Sequence, residues 1–268
     1  MIPKPKHLGP KYGEQFKDAS IVAAYKHRPL YPAETFDILD ELIVDEPRRV
    51  LDIGCGSGSV ARYLIDRVDH IDAVDISSGM IEAGKQMPNG NHPNLNWIVD
   101  SAEDVPLEPP YALIMAGQSL HWLDWYTVMP RFAQLLTPNG VLALVTYSFT
   151  VMPWIGEVLE VIGRLSTNRE FEPYNLVEEL EKRALFTKMG ERLTTAVTFT
   201  QPIDDAIESW HSSNGLSRDR MSAEAAAEFD HEIHAIMIRH CPDGQVPTQL
   251  QGKVVWGKPH EYSGTANE

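Results

Sequence analysis

The sequence predicts an α/β fold, a parallel sheet with helices on both faces, and three observations carry that reading. Short apolar runs at 50–53, 71–75, 95–99, 112–116 and 141–146 have the length and composition of buried strands. Helical stripes lie between most of them. Stretches rich in Gly, Pro and Asn at 87–94 and 137–140 punctuate the pattern. Strands buried on both faces lose the polar alternation of a half-exposed sheet, and strands separated by helices pair in parallel through crossovers.

The elements follow in order. The first ten residues, with Pro3, Pro5, Gly9 and Pro10, read as an extended lead-in. Residues 12–26 carry a weak helical pattern that turns Phe16, Ala19, Ile21, Val22 and Tyr25 inward. Arg28-Pro29-Leu30-Tyr31-Pro32 breaks it, because each proline restricts the residue before it. Pro32 then opens a helix whose stripe is Phe36, Leu39, Leu42 and Ile43, ended by Asp45-Glu46-Pro47. After the strand at 50–53 comes a helix face of Val60, Leu64, Ile65 and Val68. After that at 71–75 comes a helix with Met80, Ile81 and Ala83, capped by Ser77 or Ser78. A helix around 126–136 leads through the turn Thr137-Pro138-Asn139-Gly140 into the strand at 141–146.

Beyond residue 146 the rhythm changes. Trp154, Val158, Ile162 and Leu165 make one helical stripe, and Leu176, Leu180, Ala184 and Leu185 another. Residues 203–210 and 223–240 also read as helices. A strand at 194–200 pairs antiparallel with a last strand at 249–256, and residues 264–268 form a frayed tail.

The 268 residues, with a formal charge of −15, disfavour a partner held by phosphate contacts, so no nucleic acid is expected, and point to a small-molecule substrate or a basic partner. Two cysteines, Cys55 and Cys241, predict neither a structural disulfide nor a zinc site. The basic start Met1-Ile2-Pro3-Lys4-Pro5-Lys6 has no apolar core behind it and is not read as a secretory signal. No apolar run reaches the ~20 residues of a membrane span, so a reduced, cytoplasmic protein is expected. The oligomeric state is open.

The candidate ligand loop is Val50-Leu51-Asp52-Ile53-Gly54-Cys55-Gly56-Ser57-Gly58, a strand running into three glycines with a helix beyond. Glycine takes positive φ freely and lets a ligand touch the backbone, and the helix start offers unpaired N–H groups. A nicotinamide or flavin loop wants G-x-G-x-x-G with an acid about 20 residues on. Here the spacing is G-x-G-x-G and Asp52 precedes the glycines. Asp75, at the end of the second strand, can accept both hydroxyls of an adenosine ribose, which either cofactor class contains. The glycine spacing and Asp52 separate the two classes.

Three further segments complete the pattern. Val74-Asp75-Ile76-Ser77-Ser78-Gly79-Met80 follows the second strand, and Val99-Asp100-Ser101-Ala102-Glu103-Asp104-Val105-Pro106-Leu107 follows the third. Leu135-Leu136-Thr137-Pro138-Asn139-Gly140-Val141-Leu142 leads into the fifth. Together with the glycine loop they resemble the class I S-adenosylmethionine (SAM)-dependent methyltransferases of the type 11-like, small-molecule branch, similar to trans-aconitate and ubiquinone/menaquinone-type enzymes. The resemblance covers most of the first 150 residues. It implies a Rossmann-like, doubly wound, mostly parallel seven-stranded sheet with an antiparallel edge strand and a helical cover. It implies SAM as cofactor, S-adenosylhomocysteine as its product, and a methyl acceptor that is a small molecule. It divides the chain into an N-terminal helical cover (1–45), a SAM-binding core (46–150), and last strands with substrate-cover helices (151–260).

The resemblance also names the residues. Asp52, Gly54, Cys55, Gly56 and Gly58 form the loop, Asp75, Ile76 and Met80 take the ribose side, and Ser101, Ala102 and Glu103 take the adenine. Ser101 stands where the family usually has aspartate. Gly117 and Gln118, in Ala116-Gly117-Gln118-Ser119-Leu120-His121-Trp122, lie along the methionyl part. Arg28 neutralises the cofactor carboxylate or is solvated beside its proline kink. His121 is the catalytic candidate as general base, against the plainer reading that it packs its loop. No metal site is expected, His231 and His234 having no partner motif. Glu108-Pro109-Pro110-Tyr111 imitates a nucleobase-gripping motif but precedes its strand and reads as a loop. Tyr12 and Tyr25 cover the cofactor or join the core. Trp125, Tyr147, Trp154 and Trp210 include pocket walls, and His211 and Asn214 face the pocket or an exposed turn. A SAM-binding protein with non-methylating chemistry or a regulatory role is the alternative.

Overall fold

The computed structural model describes residues 2–261, so the predicted tail at 264–268 lies outside the described residues. Short helices α1 (Pro10–Gly13) and α2 (Ala19–Ala24) precede α3 (Glu34–Leu42). The central unit then runs β1 (Arg49–Ile53), α4 (Ala61–Leu64), β2 (His70–Asp75), α5 (Ser78–Lys85), β3 (Leu95–Val99), β4 (Tyr111–Gly117), α6 (Trp125–Leu135) and β5 (Leu136–Val151). The remainder is α7 (Ile155–Leu165), α8 (Leu176–Lys182), β6 (Phe186–Leu193), β7 (Val197–Pro202), α9 (Ile203–His211), α10 (Ala223–His240) and β8 (Gln245–Pro259).

One sheet holds the eight described strands in the order β3-β2-β1-β4-β5-β8-β6, with β7 also on β8. The first five are parallel, and β8 returns antiparallel to β5. The long β8 carries β7 on its first half and β6 on its second, so two strands share the last position. This corrects the expected seven strands to eight. The strand read at 194–200 is β7, displaced to 197–202, and β6 escaped detection because nearly all its side chains face solvent. Without an inward set there is no alternation to read.

Both faces of the sheet are covered, which is why its central strands are mostly apolar. Leu51, Ile53, Ile114, Leu142 and Leu144 pack with Trp125, Phe132 and Leu180 on one side. Val50, Leu113, Met115, Ala143 and Val145 pack with Phe36, Leu39 and Leu64 on the other. A third cluster, with Trp154, Val158, Ile207, Phe229 and Ile233, joins α7, α9 and α10 into the cover. The predicted turn at 137–140 is a loop inside β5: Leu136 pairs with Tyr111 and Val141 with Leu113, and Gly140 N–H donates to Thr137 Oγ1 at 3.1 Å.

The helix expected over 12–26 is instead a series of short turns, because Asp18 is extended and interrupts the hydrogen bonding. Those turns are tied to the cover. Arg220 donates to Asp18 at 2.6 Å, Asn214 Nδ2 donates to the Tyr12 carbonyl at 2.8 Å, and Tyr12 OH donates to Glu170 at 2.7 Å. The chain order reverses between β1 and β4, and there an open α/β sheet leaves a crevice at the strands' carboxyl ends.

Candidate functional site

Strand β1 delivers Asp52 and then a loop in which Gly54, Gly56 and Gly58 have φ of 65°, 55° and 73°. All three conformations favour glycine, but the surroundings differ. A Cβ on Gly54 would meet Ser119 Cβ at 2.4 Å, which would part β1 from the loop after β4. Ser119 Oγ donates to the Ile53 carbonyl and holds the two loops together. A Cβ on Gly58 would meet the Trp97 ring at 2.5 Å, so Gly58 seats the loop on β3. At Gly56 the nearest atom is the Tyr25 ring at 3.5 Å, and the glycine borders the crevice.

Two carboxylates flank this loop. Asp75 Oδ2 accepts Gly56 N–H and Oδ1 accepts Ser77 N–H, each at 2.8 Å, leaving each oxygen a further lone pair. Burial raises its pKa above the ordinary carboxylate value, while those two N–H groups hold it down. Asp52 is 1% exposed, and neither of its oxygens makes a hydrogen bond. Burial raises its carboxyl to about 7; the nearby Ala61 N–H opposes the rise and the Asp75 charge adds to it. A buried carboxyl with both oxygens unpaired is costly and calls for a partner.

Three compartments follow one another from the crevice. The cleft, about 420 Å³, runs from Asp100, Ala102 and Glu103 past Ile76, Met80 and Asp75 to Gly117. A slot of about 20 Å³ lies beside Asp52, Cys55, Val60 and Tyr31. A chamber of about 250 Å³ opens beyond it between β5, β8 and the cover helices. Gln118 borders all three, and it does so at a φ of 52°, an uncommon backbone for a residue with a Cβ. Arg28 and Tyr147 border both the slot and the chamber.

Residues 50–140 match the model of the family described as methyltransferase domain. The chain is 32% identical over 148 residues to an uncharacterized methyltransferase of Mycobacterium tuberculosis, a stretch covering 54% of this chain and 58% of that protein. It is 27% identical over 234 residues to an uncharacterized methyltransferase of Schizosaccharomyces pombe, covering 85% of this chain and 89% of the other. A solved structure from Anaeromyxobacter dehalogenans, described as a type II methyltransferase, superposes with a TM-score of 0.63 at 25% identity, covering 87% of this chain and 99% of that one. Residues 50–140 carry a methyltransferase domain.

The methyltransferase crevice gathers most of the residues singled out in the sequence. Gly54, Gly56, Asp75, Ile76, Met80, Ala102, Glu103, Gly117 and Gln118 line the cleft, and Asp52, Cys55 and Arg28 line the slot. Two do not. Gly58 is buried under Trp97, and Ser101 is turned away, its Oγ donating to Asp104 Oδ2 at 3.1 Å. The aspartate expected at the position of Ser101 stands one residue earlier: Asp100 lines the cleft, with its Oδ1 accepting Ser101 N–H at 2.8 Å.

His121 lines none of the three compartments; its ring lies 4.5 Å from that of Trp122 and 6.4 Å from that of Tyr174. Burial lowers its imidazole to about 3, and the charges of Lys4, Arg28 and His7 act in the same direction. Arg28 is partly buried and held in place: Nε donates to Ser212 Oγ and Nη2 to the Ser212 carbonyl, both at 2.7 Å, and the guanidinium lies 4.3 Å from the Tyr25 ring centre.

Tyr25 lines cleft and slot, whereas Tyr12 is core. Tyr147, Trp154 and Trp210 wall the chamber, whereas Trp125 is buried in the sheet's core with its Nε1 donating to the Leu120 carbonyl. His211 is buried between Leu216 and Asp230 rather than facing a pocket. Tyr111 is buried as well, its OH donating to Asp72 at 2.7 Å, which leaves residues 108–110 a plain loop. Among the described residues no group of His, Cys, Asp and Glu could hold a metal. Lys4, Glu14, Phe16 and Lys17 also line the cleft; the sequence carries no sign of it, because Lys4 sits in the lead-in and the turns of residues 10–27 are broken rather than one helix.

Proposed function

We propose that this protein is a SAM-dependent methyltransferase acting on a small-molecule acceptor. The observation that carries the reading is the unpaired Asp52 carboxyl beside the slot, between a cleft that suits adenosine and a separate chamber. The residues present fit SAM. Asp75 has two free lone pairs for the ribose hydroxyls, Ile76 and Met80 offer an apolar bed for the adenine, and Asp100 is an acceptor for its amino group. Asp52 answers the methionyl ammonium. Arg28 borders slot and chamber alike, so it can answer an anion in either.

SAM supplies a methyl group already activated on a sulfonium. What remains for the chain is to align donor and acceptor and exclude water, which in well-oriented cases is worth roughly 7–11 kcal/mol. Gln118, at the meeting of the three compartments, aligns the two sides. Gly13, Phe16, Lys17 and Tyr25 of the N-terminal turns line the cleft. His121, outside the compartments, serves its loop by packing.

Isothermal calorimetry with SAM and S-adenosylhomocysteine tests the cofactor, and mass spectrometry of metabolite mixtures incubated with protein and SAM tests the transfer. Absence of binding by both nucleosides would overturn the proposal.

A further inference from the structure

The chamber is sparing in chemistry. Among its described lining residues there is no Asp, Glu, Lys or His, although the chain as a whole has 38 acids. Its walls are Tyr147, Phe149, Met152, Trp154, Trp210 and Met237, and its polar groups are amides and hydroxyls such as Gln201, Ser209 and Thr248. Arg28 is the single charged residue, and no described carboxylate lies within ion-pair distance of it. Its guanidinium is held by Ser212 and Tyr25 through three of its five N–H groups, which leaves donors over.

Two consequences follow. A cationic amine finds no counter-charge in this chamber and meets Arg28, so an ammonium acceptor is disfavoured. An alcohol must shed a proton, and the described lining has no base to take it, since Tyr147 is a buried phenol whose acidity burial weakens further; a neutral amine becomes an ammonium on methylation and again meets Arg28 with no counter-charge. A nucleophile that arrives already ionised needs neither. Within the methyltransferase reading, on which this rests, we infer that the acceptor is a small carboxylate with an apolar or aromatic body, oriented by Arg28 and Gln118, and that the product is its methyl ester.

The reaction balances without a proton. A carboxylate oxygen forms the O–CH₃ bond as the S–CH₃ bond breaks, and the bonding pair stays on sulfur. One anion and one sulfonium cation become two neutral groups, a change that a chamber whose described lining holds a single charge favours. Among the described lining residues Arg28 is the only cation available to such an acid, whereas the methionyl carboxylate carries its own ammonium.

The test uses the full chain loaded with S-adenosylhomocysteine. Small aromatic and aliphatic monocarboxylates, each with its primary amide and its amine, are titrated in by calorimetry. At least one acid binds, and binds at least about tenfold tighter than its amide and amine. Arg28→Gln removes that preference, Arg28→Lys restores part of it, and both variants are shown to be folded by retained binding of S-adenosylhomocysteine. With SAM the bound acid yields a product heavier by one methylene that alkali hydrolyses back to the acid.

Acids that fail to bind at millimolar concentration, amides or amines that bind as well, or an unchanged preference in Arg28→Gln overturn the inference. So does a loss confined to S-adenosylhomocysteine in both variants, which would assign Arg28 to the cofactor. If the wild-type protein does not bind S-adenosylhomocysteine at all, the methyltransferase reading itself fails, and that result is read before any acid is added.

Discussion

Asp52 is the residue at which stability and the proposed function pull apart. Its carboxyl is raised from 3.8 to about 7 by burial, so the folded chain prefers it protonated. For a group raised above its unfolded value, the stabilising contribution is complete below the unfolded value and is lost as pH rises through the folded one. Here the loss runs from about pH 4 to pH 7 and amounts to about 4 kcal/mol. An asparagine side chain in its place would keep the shape and never ionise. Without ligand, Asp52→Asn should therefore melt above the wild type at pH 8 and together with it near pH 4, while its affinity for SAM at pH 8 falls by about tenfold or more. Coincident melting curves at pH 8 would contradict this. The glycines separate in the same way. Gly58→Ala drives a Cβ into Trp97 and should cost about 2–4 kcal/mol in denaturant unfolding. Gly56→Ala carries only the backbone strain of its positive φ, about 1–2 kcal/mol, and should show itself chiefly as weaker SAM binding.

At the scale of elements, the glycine loop is held from beneath by a buried arginine. Arg62, on α4, is 2% exposed, and donates through Nε to the Ser57 carbonyl at 2.8 Å and through Nη1 to the Pro88 carbonyl at 2.9 Å. It ties the loop after β1 to the one after α5. Arg62→Ala leaves both carbonyls short of a donor and should destabilise the chain by about 3 kcal/mol in urea unfolding. Binding of SAM by the folded fraction should weaken too, because Gly56 rides on that loop; unchanged stability would show the arginine to be dispensable. The start of α5 is similarly double-purposed. Ser77 Oγ accepts Met80 N–H at 3.3 Å as the cap, while Ser77 N–H donates to Asp75. Most of this was legible in sequence, since a strand, a glycine turn, a cap and a helical stripe are local signals. The N-terminal turns were not, because their order comes from Arg220, Asn214 and Glu170, some 160 to 200 residues away.

For the whole molecule, the crevice lies between the central sheet and a cover whose pieces come from both ends of the chain. A ligand that bridges them should stabilise the entire fold. S-Adenosylhomocysteine at 100 times its dissociation constant should add about 2.7 kcal/mol, raising the melting temperature by about 5–10 °C. Scanning calorimetry with and without the nucleoside measures it, and an unchanged melting temperature at saturating ligand would remove the cofactor from the proposal.

The sequence alone determined the central unit: five parallel strands, the glycine loop, Asp52 and Asp75. These are set by chain-local rules, namely apolar periodicity, the conformations glycine permits, and the acid that a strand end presents. Only the tertiary structure decided that Gly58 packs under Trp97, that Asp100 and not Ser101 lines the cleft, and that His121 lines none of the three compartments. It alone showed Arg28 without a counter-charge in an otherwise uncharged chamber. The direction in which a side chain leaves its loop, and the company it finds there, depend on contacts between segments far apart in the chain.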